Sequence, residues 1–158
     1  MASKSERTRA FASSKGSKTA AQWFAYVVGL VLVAAGLIGF AYDGSFDTGQ
    51  GIDGDKVLGI LEVNGIHNIV HIASGLLLLL VAPKRVTARY GVIAFGLVYA
   101  LVTLIGLIDG EDVVGLLPVN PADNILHIAL TLLALLAGFA SPADDARHAG
   151  TPGAPATG

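Results

Sequence analysis

Charged residues are distributed so that long stretches of the chain carry none. Trp23 to Tyr42 and Tyr90 to Ile108 contain no Asp, Glu, Lys or Arg. Each is close to the roughly 20 residues a helix needs to cross a hydrocarbon core about 30 Å thick. Neither shows the polar stripe of a helix on a soluble bundle, and Tyr26 to Gly39 is apolar all round. Two further apolar segments, 65–82 and 121–140, are just long enough to span, with their polar residues mainly in the first two turns. The pattern predicts an all-α fold: a four-transmembrane-helix bundle with helices at about 23–42, 65–82, 90–108 and 121–140, within one transmembrane domain over 22–140. The tails, 1–21 and 141–158, cannot bury enough apolar surface to offset the entropy of ordering and are expected to be disordered.

Composition points the same way, since 53% of the 158 residues are hydrophobic and only 14% charged. The first apolar run follows a long polar leader, exceeds the length of a signal core and lacks an Ala-x-Ala site. It is therefore expected to stay in the mature protein. With no cysteine, disulfides, thiolate metal sites and cysteine nucleophiles are excluded.

Charge sets the expected orientation. Lys4, Arg7, Arg9, Lys15 and Lys18 precede the first helix, Lys84, Arg85 and Arg89 separate the second from the third, and Arg147 follows the fourth. Asp43, Asp47, Asp53, Asp55 and Glu62 crowd the first loop on the other side, and Asp109, Glu111 and Asp112 the third. The positive-inside rule then gives a multi-pass plasma-membrane protein with both termini cytoplasmic. Because the basic residues hug one membrane face, nothing points to nucleic acid as a partner.

The chain also repeats itself. Val57-Leu-Gly-Ile-Leu-Glu-Val-Asn64 and the residues after it return 56 positions later as Val113-Val-Gly-Leu-Leu-Pro-Val-Asn120, and Gly29 to Gly39 matches Gly96 to Gly106 at an offset of 67. The two offsets agree if the first outer loop is longer by about 11 residues. The expected architecture is a two-helix hairpin written twice, a parallel 2+2 repeat whose copies share one orientation.

Polar residues survive the repetition. Asn64, His67, Asn68 and His71 stand at i, i+3, i+4 and i+7, hence on one helical face, and Asn120, Asp123, Asn124 and His127 repeat the arrangement. Side chains of this kind are costly against lipid, so both faces are expected to point into the bundle. Asn64 and Asn120 read as helix N-caps, the latter followed by Pro121 at N1 and an acid at N3. Asn68 and Asn124 read as interhelical hydrogen-bonding groups, so the four asparagines form a structural polar cluster.

The histidines leave three readings open. Neutral imidazoles bonded to Asn or backbone carbonyls explain the pattern with no cofactor, in a structural membrane protein that binds the lipid bilayer and another membrane protein or a second copy of itself. Alternatively, His67, His71, Asp123 and His127 form a divalent-metal set, or His71 and His127 hold a b-type haem. The third reading is proton-linked or small-solute handling. Familiar enzyme signatures are absent, and the reading leans away from an enzyme.

The paired elements Val63-Asn-x-x-His-Asn-x-x-His71 and Val119-Asn-x-x-Asp-Asn-x-x-His127 resemble the signatures of a bacterial membrane family, domain of unknown function 4383, over roughly residues 20–139. That resemblance implies a small four-helix integral membrane protein. It carries no biochemical activity to this chain.

Overall fold

The computed structural model describes residues 17–142, so Lys4, Arg7, Arg9, Lys15, Arg147 and most of both expected tails lie outside the described residues. Four helices dominate: α1 (Ala20–Gly39), α2 (Gly65–Val81), α3 (Arg85–Asp109) and α4 (Pro121–Ala140). α1, α3 and α4 are long and apolar enough to cross a membrane, whereas α2 is apolar but shorter, at 17 residues. Two small antiparallel hairpins depart from the all-helical expectation. β1 (Asp55–Val57) pairs with β2 (Leu61–Val63) between α1 and α2, and β3 (Asp112–Val113) pairs with β4 (Leu117–Pro118) between α3 and α4.

Local chemistry accounts for the helix ends. Thr19 caps α1 in a capping box with Gln22. Asn64 caps α2 by accepting from the His67 N–H, and Asn120 caps α4 from the N–H groups of Ala122 and Asp123 with Pro121 in the first turn. Pro83 has no N–H to continue the helical ladder beyond Ala82, and α2 stops there. α3 starts at Arg85, five residues before the uncharged run, and the Arg85 guanidinium reaches out to donate to the Ser17 carbonyl at 2.9 Å. It ends at Gly110, whose φ of +92° suits only glycine well.

α1 packs chiefly on α2 and α3 on α4, with fewer contacts between the pairs. Glycines permit the first pairing: a Cβ on Gly75 would stand 2.6 Å from the Gly29 carbonyl oxygen, and one on Gly29 would stand 2.9 Å from that of Gly75. The main apolar core joins Ala25 and Leu32 of α1, Leu78 of α2, Phe95 and Tyr99 of α3 and Ala134 of α4. Outside it, Leu30, Leu37, Leu80, Leu104 and Leu136 face outward, so the apolar surface is on the exterior.

The end of the molecule that carries the N-terminus of α1 has its own polar tie. Gln22 Nε2 donates to the carbonyls of Ala82 and Pro83, both at 3.1 Å. The Ala21 N–H donates to Ser141 Oγ at 2.9 Å, joining α1 to the end of α4.

Candidate functional site

At the opposite end, the two hairpins cross over and clasp each other's helices. Asn64 Nδ2 donates to the Leu116 carbonyl at 3.0 Å, and Asn120 Nδ2 donates to the Ile60 carbonyl at 2.7 Å. Both donors and both acceptors are related by the offset of 56. Each asparagine thus caps its own helix with Oδ1 and holds the other half with Nδ2, using both ends of the amide.

Three residues further on, the contacts occupy matching places with inverted polarity. His67 Nδ1 lies 3.2 Å from the Pro118 carbonyl, whereas Asp123 Oδ2 accepts from the Glu62 N–H at 3.0 Å and from the Asn120 N–H at 3.1 Å. Proline has no N–H, so Pro118 offers only an acceptor and its partner must donate. The proton of His67 therefore sits on Nδ1, leaving Nε2 as the ring's lone-pair nitrogen.

Behind the caps, Asn68 Nδ2 donates to the Asp43 carbonyl at 2.8 Å. Its Oδ1 rests against the backbone of Gly39, as Asn124 Oδ1 rests against that of Gly106. A side chain at either glycine would displace the amide.

The two polar faces bring three histidines together. His67 and His71 of α2 and His127 of α4 place one ring nitrogen each within 4.8 Å of one another. Their ring centroids are 4.5 Å (67 to 71), 6.1 Å (67 to 127) and 6.4 Å (71 to 127) apart. His67 and His127 are buried and His71 nearly so. Asp123, expected among the metal ligands because it occupies the place of His67, does not join them. Its carboxylate is turned to the backbone of Glu62 and Asn120 instead.

Among the described residues, Asn124 Oδ1, His127 Nδ1 and Thr131 Oγ1 along one face of α4 lack a hydrogen-bond partner within the protein. The Tyr99 ring meets His127 edge-on at 5.4 Å and stacks on Phe95 at 4.1 Å. Buried polar groups are nearly always satisfied, so three orphans on the helical face that carries His127 stand out.

The family model described as Domain of unknown function (DUF4383) matches residues 22–140. The chain belongs to that family. No curated protein and no solved structure matches it. Within this DUF4383 chain, the sequence pattern had located every histidine of the triad but not Tyr99. Its only signal was a helical register with Gly96, Thr103 and Gly106, buried positions that mark the inward face of α3. Gln22 and Ser141 were likewise missed, although Thr19-Ala-Ala-Gln22 is a legible capping box.

Proposed function

We propose that this chain is a multi-pass plasma-membrane protein, with both termini cytoplasmic and two copies of one helical hairpin, that holds a divalent first-row metal ion between His67, His71 and His127. The observation that carries this reading is the convergence of three ring nitrogens from two helices, with unpartnered polar atoms on the helical face that carries His127. Neutral imidazole is the commonest ligand form for such ions, and a zinc–nitrogen distance near 2.0–2.1 Å places tetrahedral ligands about 3.3 Å apart. The rings need draw in by only roughly 1 Å to reach that spacing.

His67 is already oriented for the task, because the Pro118 carbonyl takes its Nδ1 proton and Nε2 is left to ligate. Backbone carbonyls do this for metal-bound histidines generally, and such outer partners fix ring direction and tautomer. Three imidazoles leave a fourth position for water or a solute. A haem between His71 and His127 fits less well, since the His67 ring stands 4.5 Å from one and 6.1 Å from the other, where the macrocycle would lie.

The crossed bonds of Asn64 and Asn120 favour a second reading in which the whole cluster serves packing and the protein acts by binding a membrane partner. Purification without a histidine tag, incubation with Zn2+ and elemental analysis after washing separate the two. The metal reading expects about one bound ion per chain. That ion is lost from the His71→Ala/His127→Ala variant while helical content persists. A folded wild-type protein that retains no zinc, or equal zinc in both proteins, supports the packing reading.

A further inference from the structure

The turn of the first β-hairpin is built at a steric cost. Leu58 has φ +54° and Gly59 φ +73°, so both central residues lie in the left-handed region. That region suits Asn, Asp or Gly, and a leucine there is strained. Its side chain is 78% exposed, and the neighbouring Ile60 is exposed as well. The second hairpin makes the same choice with a β-branched residue, Val114 at φ +52°, also exposed.

The hairpin is two-faced. Lys56 and Glu62 are cross-strand partners joined by an ion pair at 3.1 Å, while Val57 and Leu61, the next pair along, point the other way. Val57, Leu58, Ile60 and Leu61 form one wall of an apolar groove of about 370 Å³, and Ile125 and Leu126 of α4 belong to the other wall. Ile125 is one turn inside a helix long and apolar enough to cross a membrane, so the groove continues that helix's outward apolar surface.

The place of the turn against α4 locates the occupant. At about 1.5 Å per residue, the 17 residues of α2 span about 25 Å, some 5 Å short of a typical hydrocarbon core. The N-terminal end of α2, where Asn64, His67 and Asn68 are buried, lies at the same end of the molecule as the hairpin turn, which packs against the first turns of α4. The exposed apolar side chains of the turn therefore stand level with the start of a helix long and apolar enough to cross a membrane.

We infer that the Leu58–Ile60 turn is a wedge seated among the acyl chains of the outer leaflet, with the Lys56–Glu62 pair facing the headgroups. Transfer of Leu58 and Ile60 into hydrocarbon offsets the strain of the turn.

Depth-dependent quenching tests this in the full chain. In a Trp23→Phe background, which removes the sole native tryptophan, Leu58→Trp and separately Ile60→Trp are reconstituted into phosphatidylcholine vesicles brominated either high or low on the acyl chain. The expected result is blue-shifted emission that loses most of its intensity to the shallow bromines, little to the deep ones and little to aqueous iodide. Emission at the wavelength of water-exposed indole with strong iodide quenching overturns the proposal. Blue-shifted emission insensitive to both bromolipids also overturns it, because a protein surface then covers the turn. Ile60→Trp keeps the Leu58 backbone intact, so it reports even if the substitution at Leu58 disturbs the turn.

Discussion

The two junctions where a hairpin runs into a helix share an asparagine cap, a crossed hydrogen bond and a valine before the cap, yet differ three residues on. His67 stands in the first and Asp123 in the second. The residue each meets explains the difference: Pro118 presents a carbonyl and Glu62 an N–H, so one junction needs a donor and the other an acceptor. A single proline has in effect chosen the histidine. The same choice leaves Nε2 of His67 without a structural duty, and only that junction contributes two imidazoles to the triad.

Exchanging the two residues is the severest way to break this comparison. His67→Asp aims a buried carboxylate at the Pro118 carbonyl, and the loss should be about 3–5 kcal/mol, as for an uncompensated buried charge. A fall in thermal midpoint in detergent measures it, and adding Pro118→Glu should restore part by supplying an N–H. If the double variant melts no higher than His67→Asp, the polarity argument fails. The reverse change, Asp123→His, strips the acceptor from the N–H groups of Glu62 and Asn120 and is expected to cost about 2–3 kcal/mol in the same melt.

Smaller effects sharpen the comparison. Gly39→Ala drives a methyl into the Asn68 amide, and overpacking of this kind costs about 1–3 kcal/mol. Gly106→Ala should cost less, since its Cβ would stand 2.9 Å from Asn124 Oδ1, a looser contact than at Gly39. Equal melting temperatures for the two alanine variants would contradict that ranking. The smallest effect belongs to Asp43. Partial burial pushes its carboxyl upward, but hydrogen bonds from Ser45 and the Asp55 N–H outweigh this and hold it below the ordinary 3.8. A depressed folded value means the stabilisation is complete above the unfolded value, ordinarily 3.8, and is lost as pH falls from there through the folded value. A slight drop in melting temperature below about pH 4, absent in Asp43→Asn, is expected.

Long-period features were legible in the amino-acid sequence. Four helices follow from uncharged runs, and Asn64 and Asn120 could be recognised as caps because a cap acts within three residues. The hairpins were not, for their strands are two or three residues long and Leu58-Gly59 and Val114-Gly115 lack the Asn-Gly or Asp-Gly signal of a tight turn. Asp123 was placed among metal ligands by its equivalence to His67. The contact that removes it, from the Glu62 N–H, bridges 61 positions and leaves no trace in local spacing. Tyr99 was overlooked for a similar reason, since an aromatic residue in an apolar helix reads as core until a histidine from another helix is seen against it.

The crossed clasp bears on how the chain is made. On the membrane topology proposed above, α1 and α2 would reach the bilayer while the carbonyls of Leu116 and Pro118, which Asn64 and His67 need, are still about fifty residues from being synthesised. The second helix would arrive short, polar at one end and without its partners. A nascent chain halted before Leu116 should then leave α2 readily extracted from the bilayer.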